Sequence, residues 1–284
     1  MSTQETSAET SAPAQERAVA STLMAPPRRR LRLNTDILIQ FGVIAVLLAV
    51  WEGVARANLM DAFLLPSLSS VVERIYQDGT GGTLLTDLGL TLYRALVGFL
   101  VAVVTAVPLG ILMARSAAIR WFFDPLISVG FPMPKIAFLP IFMLWFGIFD
   151  TSKIVMIAFS CFFPIVSAAY AGTLNVDKWV IWSARSFGTK DNRLLWEIIL
   201  PMALPTIMTG VQIALPVALI AGVATEMLMG GAGIGGTMIQ AGRYADSVGV
   251  FAGIVELAAL GAVVVRAVAY IRSRLLAWHV ESRH

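Results

Sequence analysis

Six long apolar stretches decide what solvent this chain folds in. They run from about Ile37 to Val54, Leu88 to Ala114, Trp121 to Phe149, Lys153 to Leu174, Ala203 to Met229 and Val248 to Ile271. Each can cross a hydrocarbon core of roughly 30 Å at 1.5 Å per helical residue. Charged residues make up only 14% of the 284, hydrophobic ones 57%, and mean hydropathy is +0.78. A water-soluble domain carries roughly 25% charged residues, so lipid must solvate much of this surface. Lipid offers backbone amides no hydrogen bonds, which leaves helices for the spans. The expected fold is therefore all-α, with six transmembrane helices.

The flanks and loops set the orientation. Residues 1–36 begin as a polar Ser/Thr/Glu/Gln/Ala segment without apolar periodicity, expected to be a disordered tail. The run from Arg28 to Arg32 then precedes the first span, which is too long for a signal-peptide core and ends in Trp51 and Glu52. With the N-terminus inside, cytoplasmic segments hold Arg17, Arg28, Arg29, Arg30 and Arg32, then Arg115 and Arg120. The later ones hold Lys178, Arg185, Lys190 and Arg193, then Arg272, Arg274 and Arg283. These are 14 of the 21 basic residues, a bias that puts both termini in the cytoplasm. The net charge of +3 thus reads as loop anchoring, and no basic patch interleaved with aromatics points to nucleic acid. The transmembrane domain is expected over 37–279, with 280–284 as a tail.

Enzymatic readings find no support. Cys161 is the only cysteine and His279 and His284 sit at the C-terminus, so no metal site is expected. There is no Ser/His/Asp set, no cofactor fingerprint and no G-x-x-x-x-G-K-[ST] phosphate loop. Gly231, Gly233 and Gly236 satisfy G-x-G-x-x-G, but they follow a membrane span and not a strand, so a Gly-rich turn is the expected reading. The absence of a convincing internal repeat argues against an inverted-repeat secondary transporter.

The longest polar segment between spans, Asn175 to Pro201, carries the functional signal. Val180 to Phe187 reads as a short helix, Gly188 as its stop, and "TKDN" as a turn with Asn192 or Asp191 capping a second helix. Ala184, Gly188, Ile198, Leu200 and Pro201 fall at the spacing EAA-x3-G-x9-I-x-L-P. That motif resembles the cytoplasmic loop of ATP-binding-cassette importer permeases. Trp182 and Ser183 stand where the family has Glu and Ala. "LLPSLSSVVERI", "FDPLISVGFPMPKIAFLP" and "GVATEMLMGGAGIGGTMIQAG" extend the likeness, over about residues 37–279, to the nitrate/sulfonate/taurine branch.

The resemblance implies a type I importer permease of the bacterial inner membrane that hydrolyses no ATP itself. Its expected partners are a second permease copy, two cytoplasmic subunits carrying ATP and Mg2+, and an extracytoplasmic solute-binding protein. Trp182, Ser183, Ala184, Arg185 and Gly188, with Ile198, Leu200 and Pro201, become the residues that couple to the ATPase. A sulfonate, taurine or nitrate is the implied solute; a pyrimidine or thiamine precursor, or a secondary transporter, is the alternative.

Ionisable residues inside spans mark further candidates, because each costs about 2.5–3.5 kcal/mol unless satisfied. Arg94, Glu226 and Glu256 all fall in the outer leaflet, so Arg94 is expected to face the bundle and pair with Glu226 or Glu256. Pro132, Pro134 and Pro140 break the third stretch into a kinked or re-entrant segment with Lys135 among them. That segment is a candidate gate, and the Lys135 ammonium a candidate attractor for an anion.

Overall fold

A computed structural model describes residues 33–275 of the chain, with side chains for 38–274. The expected tail up to residue 32 and the segment 280–284 lie outside the described residues. The chain divides into two compact units, Met1–Gly53 and Val54–His284. α1 (Leu33–Arg56), of which the first unit holds all but the last three residues, is an unbroken helix of 24 residues. It starts at Leu33, ahead of the Ile37 at which the apolar pattern begins.

The second unit is a helical bundle. α2 (Leu68–Thr80) is amphipathic and opens at Ser67, whose hydroxyl accepts the Ser70 amide at 3.2 Å. α3 (Thr83–Arg115), α6 (Asp150–Leu174), α8 (Asp191–Met229) and α10 (Ser247–Leu275) are the long apolar helices. Between α3 and α6 come α4 (Ala117–Gly130), a 3-10 turn (Lys135–Phe138) and α5 (Leu139–Phe146). α7 (Lys178–Ser186) lies in the 175–201 loop, and α9 (Ile234–Arg243) joins α8 to α10. α2 and α9 are short helices inside segments the apolar pattern treats as connections.

α6 is the central helix, packed along its length against α3 and α8. Small residues make this possible. Gly98, Ala102, Ala106 and Gly110 form an i+4 stripe on the buried face of α3. A Cβ at Gly98 would lie 2.7 Å from the Ile157 side chain, and one at Gly110 2.6 Å from that of Ala169. Backbones this close gain dispersion contacts, which drive helix association where lipid removes the hydrophobic incentive. Ile157, Cys161, Ile165 and Val166 on α6 and Ala214, Leu215 and Ala218 on α8 complete the core.

These contacts fix the directions of the helices. Gly98 meets Ile157 and Gly110 meets Ala169, so α3 and α6 run parallel. Gly222 meets Ile157 and Gly210 meets Ala168, so α8 runs against them. Parallel α3 and α6 oblige the chain between them to return from one end of the bundle to the other. The segment from α4 to α5 makes that return with a bend of 103°. Of the two forms the prolines allowed, that return is the one a broken crossing requires. Among the described residues five helices are long and apolar enough to span a membrane, six if the bent pair counts as one span.

Candidate functional site

Functional side chains gather at both ends of the bundle. At one end, Asp177 caps α7 by accepting the Trp179 amide at 2.9 Å. The helix stops as expected: Gly188 sits at φ +80°, and the amides of Gly188 and Thr189 donate to the carbonyls of Arg185 (2.9 Å) and Ala184 (3.2 Å). A Cβ at Gly188 would meet nothing within 4 Å, so the constraint there is backbone conformation. The second helix begins at Asp191 with Lys190 at the N-cap, one or two residues ahead of the expected Asp191 or Asn192 cap. Arg185 pairs with Asp191 at 3.2 Å across the turn.

The motif positions divide by direction. Ala184, Ile198 and Leu200 pack on a small core of Ala169, Val176, Leu194, Ile199, Ala203 and Ile207, which fastens the loop to the bundle. Trp179, Trp182 and Phe187 face away, and Phe187 is 87% exposed. The two indoles stack edge to face at 5.1 Å. Trp179 and Phe187, with Val180 and Ser183, line a shallow apolar surface on an otherwise charged loop. Pro201 follows a π-helical turn, Leu195–Ile199. Pro201 has no N–H for the usual helical bond and crowds the preceding turn, and a widened turn there relieves both.

At the other end Arg94 is 4% exposed and Glu226 fully buried. Arg94 Nη1 donates to Glu226 Oε1 at 2.7 Å and to the Ala232 carbonyl at 2.7 Å, and its Nε donates to Asp150 at 2.9 Å. Glu226 Oε2 accepts the Thr91 hydroxyl (2.9 Å) and the Gly235 amide (3.1 Å). Asp87 accepts the Gly233 amide at 2.8 Å, and Lys153 donates to the Gly230 carbonyl at 3.0 Å. The Gly-rich turn is thereby strapped to three helices. Its Gly233 and Gly235 amides are taken by carboxylates, so they are closed to a phosphate.

Glu256 is not the partner of Arg94. It lines a separate polar cavity of about 310 Å3 with Arg74, Asp78, Asp87 and Asp246, and its Oε1 has no hydrogen-bond partner among the described residues. Asp150, Thr91, Asp87 and Lys153 were missed in the sequence. Asp87, Thr91 and Arg94 stand at i, i+4 and i+7, a polar stripe on an apolar helix that could have disclosed the first half of the network.

In the bent pair, Pro134 precedes the 3-10 turn and Pro140 begins α5. Lys135 Nζ donates to the Phe131 carbonyl at 2.7 Å and the Met133 carbonyl at 3.3 Å, and lies 5.2 Å from the centre of the Phe163 ring. Its ammonium thus satisfies the carbonyls freed where α4 ends at Gly130 and Pro132 follows. The neighbouring cavity, about 850 Å3, is walled by Phe123, Phe138, Phe159, Phe162 and Phe163. A charged solute there would lose hydration with nothing to replace it, so size alone does not mark the pathway.

Long apolar helices around one bent pair, with a charged loop at one end, make a polytopic membrane protein. Residues 106–277 match the family model described as "Binding-protein-dependent transport system inner membrane component". The chain belongs to this family of ATP-binding-cassette permeases. It is 34% identical over 262 residues to the taurine transport system permease protein TauC of Escherichia coli, covering 89% of this chain and 95% of that protein. It is 30% identical over 253 residues to SsuC of Bacillus subtilis, named for aliphatic sulfonates transport, covering 89% and 90%. The formylaminopyrimidine transport permease protein ThiX of Halalkalibacterium halodurans is 30% identical over 233 residues, covering 82% and 92%. An inward-facing structure of the MetNI methionine transporter superposes with TM-score 0.55 at 17% identity, covering 67% of this chain and 98% of the other, which shows a shared fold.

Proposed function

We propose that this permease imports a small sulfonate of the taurine class, and that two copies of it form the pathway in a bacterial inner membrane. The exposed ridge of Trp179, Trp182 and Phe187 on a loop anchored by Ala184, Ile198 and Leu200 carries the coupling half of this reading. A monomer gains nothing by exposing three large aromatics on a charged loop, whereas a partner cleft would bury them. The partner is a cytoplasmic subunit that holds ATP and Mg2+. The basic residues clustered on this loop favour the cytoplasmic side for it.

ATP closes the two partner subunits and carries the α7 loops with them. The crossings rock, and the cavity between protomers alternates between the solute-binding protein and the cytoplasm. Energy is transmitted only if the loop contacts differ between the two states. The bent pair with Pro132, Pro134, Lys135 and Pro140 is the candidate gate, with Lys135 holding its broken backbone together. The resemblance to TauC and SsuC supports the solute class, and that to ThiX supplies the rival. The permease, its ATP-binding subunits and the binding protein, reconstituted in proteoliposomes, should take up radiolabelled taurine only with ATP inside the ATPase compartment. Uptake of a formylaminopyrimidine in preference to taurine would transfer the assignment to the rival solute.

A further inference from the structure

We infer that the groove between α6 and α8, closed at one end by Arg272 of α10, binds a tetrahedral oxyanion. The groove holds about 500 Å3. Ser167, Thr206 and Thr209 line it along one seam, with Phe131 and Ile213 beside them. The seam exists because Gly210 meets Ala168 and Gly172 meets Thr206, which brings the two helices close.

Three observations point to an anion. First, two of the three hydroxyls have no partner: Ser167 and Thr206 make no side-chain hydrogen bond among the described residues, whereas Thr209 donates back to the Pro205 carbonyl at 3.1 Å, as Ser160 does to Met156. The Ser167 and Thr206 donors are left to a ligand or to water. Second, Arg272 spends one donor on Gln212 Oε1, at 2.7 Å, and it makes no other hydrogen bond among the described residues. A guanidinium has five donors in a planar fork that matches an oxyanion, so four remain to be offered to a ligand at this end of the groove. Third, no carboxylate is among the groove's described lining residues, whereas the cavity at the opposite end is lined by four. A cation would choose the latter.

Phe131 ties the groove to the bent pair, because the carbonyl that takes the Lys135 ammonium belongs to a residue of the groove wall. The chemistry fits a sulfonate solute or a phospholipid headgroup. The solute source rests on the import reading above; the oxyanion site itself does not.

The test uses the full chain, co-purified with its ATP-binding subunits, in nanodiscs open to both sides. In a Cys161→Ala background, Thr209→Cys is converted to a mixed disulfide, with methanesulfinate leaving, by two methanethiosulfonates of similar size, one bearing ethylsulfonate and one ethyltrimethylammonium. The groove should favour the sulfonate by about tenfold, as charged clefts concentrate their counter-ions. Arg272→Gln should bring the ratio near one and Arg272→Lys should keep most of it. Arg274→Gln, whose guanidinium stacks on Tyr270, should leave it unchanged. Slowing by millimolar methanesulfonate in phosphatidylcholine discs assigns the oxyanion to a solute. Slowing only when phosphatidylglycerol is added assigns it to a lipid. Equal rates for the two reagents, or a preference that survives Arg272→Gln, overturn the site. Taurine uptake is measured in parallel: no uptake with the preference intact removes the taurine reading and keeps the groove.

Discussion

The two ends of the bundle solve opposite problems with the same residue types. Around Arg94, the charges of Arg94, Lys153 and Glu226 are buried and every one finds a partner: Glu226 accepts three hydrogen bonds and Arg94 makes bonds to two carboxylates and a carbonyl. Around α7, charges and aromatics stand in solvent and the pairs are loose, Arg185 with Asp191 at 3.2 Å among them. A satisfied buried network has one geometry and holds a turn rigidly. An exposed ridge has no internal partner to lose, so a second protein can engage and release it. The fold separates a fixed clamp from a movable contact by the length of a membrane helix.

The largest effect should come from the clamp. Arg94→Leu leaves Glu226 buried without its cation and should cost about 3–5 kcal/mol, read as a lowered unfolding midpoint of the purified protein. Arg94→Leu with Glu226→Leu should recover much of that loss; an unchanged midpoint in the single variant would mean the clamp is not structural. Next comes the ridge. Phe187→Ala should weaken binding of the ATP-binding subunits by about 2 kcal/mol, some thirtyfold, with the midpoint untouched. If both quantities fall together, the ridge belongs to the fold after all.

Gly188→Val is smaller in energy and more specific. A β-branched residue at φ +80° costs about 1–2 kcal/mol in strain. It tilts α7, so ATP hydrolysis should persist while uptake falls. Full uptake would show that the loop tolerates a new exit angle. The smallest effect is expected at Asp246, outside the spans. The Gly249 amide, and then the Arg74 guanidinium, hold its carboxyl below the ordinary range, against partial burial. Its folded pKa is lower than its unfolded one, so its contribution is complete above about pH 4 and drains as pH falls. For so exposed a pair this is at most about 0.5 kcal/mol. The midpoints of the parent and Asp246→Asn should differ near pH 7 and converge near pH 3.

Which features could be read beforehand follows from their range in the chain. Gly188 and the apolar runs are local signals, and each falls where the pattern places it. The i+4 series Gly98, Ala102, Ala106, Gly110 was equally local, yet it is easy to overlook because small apolar residues blend into a span. Asp150 could not be assigned to Arg94 by sequence, since 56 positions separate them and the contact depends on α3 and α6 running parallel. Glu256 shows the converse: it lies in a span as Glu226 does, and only the packing of α10 beside α2 and α9 gives it different neighbours. α2 and α9 are too short and too polar to stand out by hydropathy.

The π-helical turn Leu195–Ile199 has a consequence for how this loop could diverge among relatives. Such a turn houses one residue more than an α-helix would, and one residue is about 100° of rotation about the axis. Deleting a single residue there would preserve the span and every motif letter while swinging the aromatic ridge a quarter-turn or more around the helix. The compass bearing of the loop is therefore set by a count of residues, and partner fidelity can be rewritten by an indel where no side chain of the ridge changes.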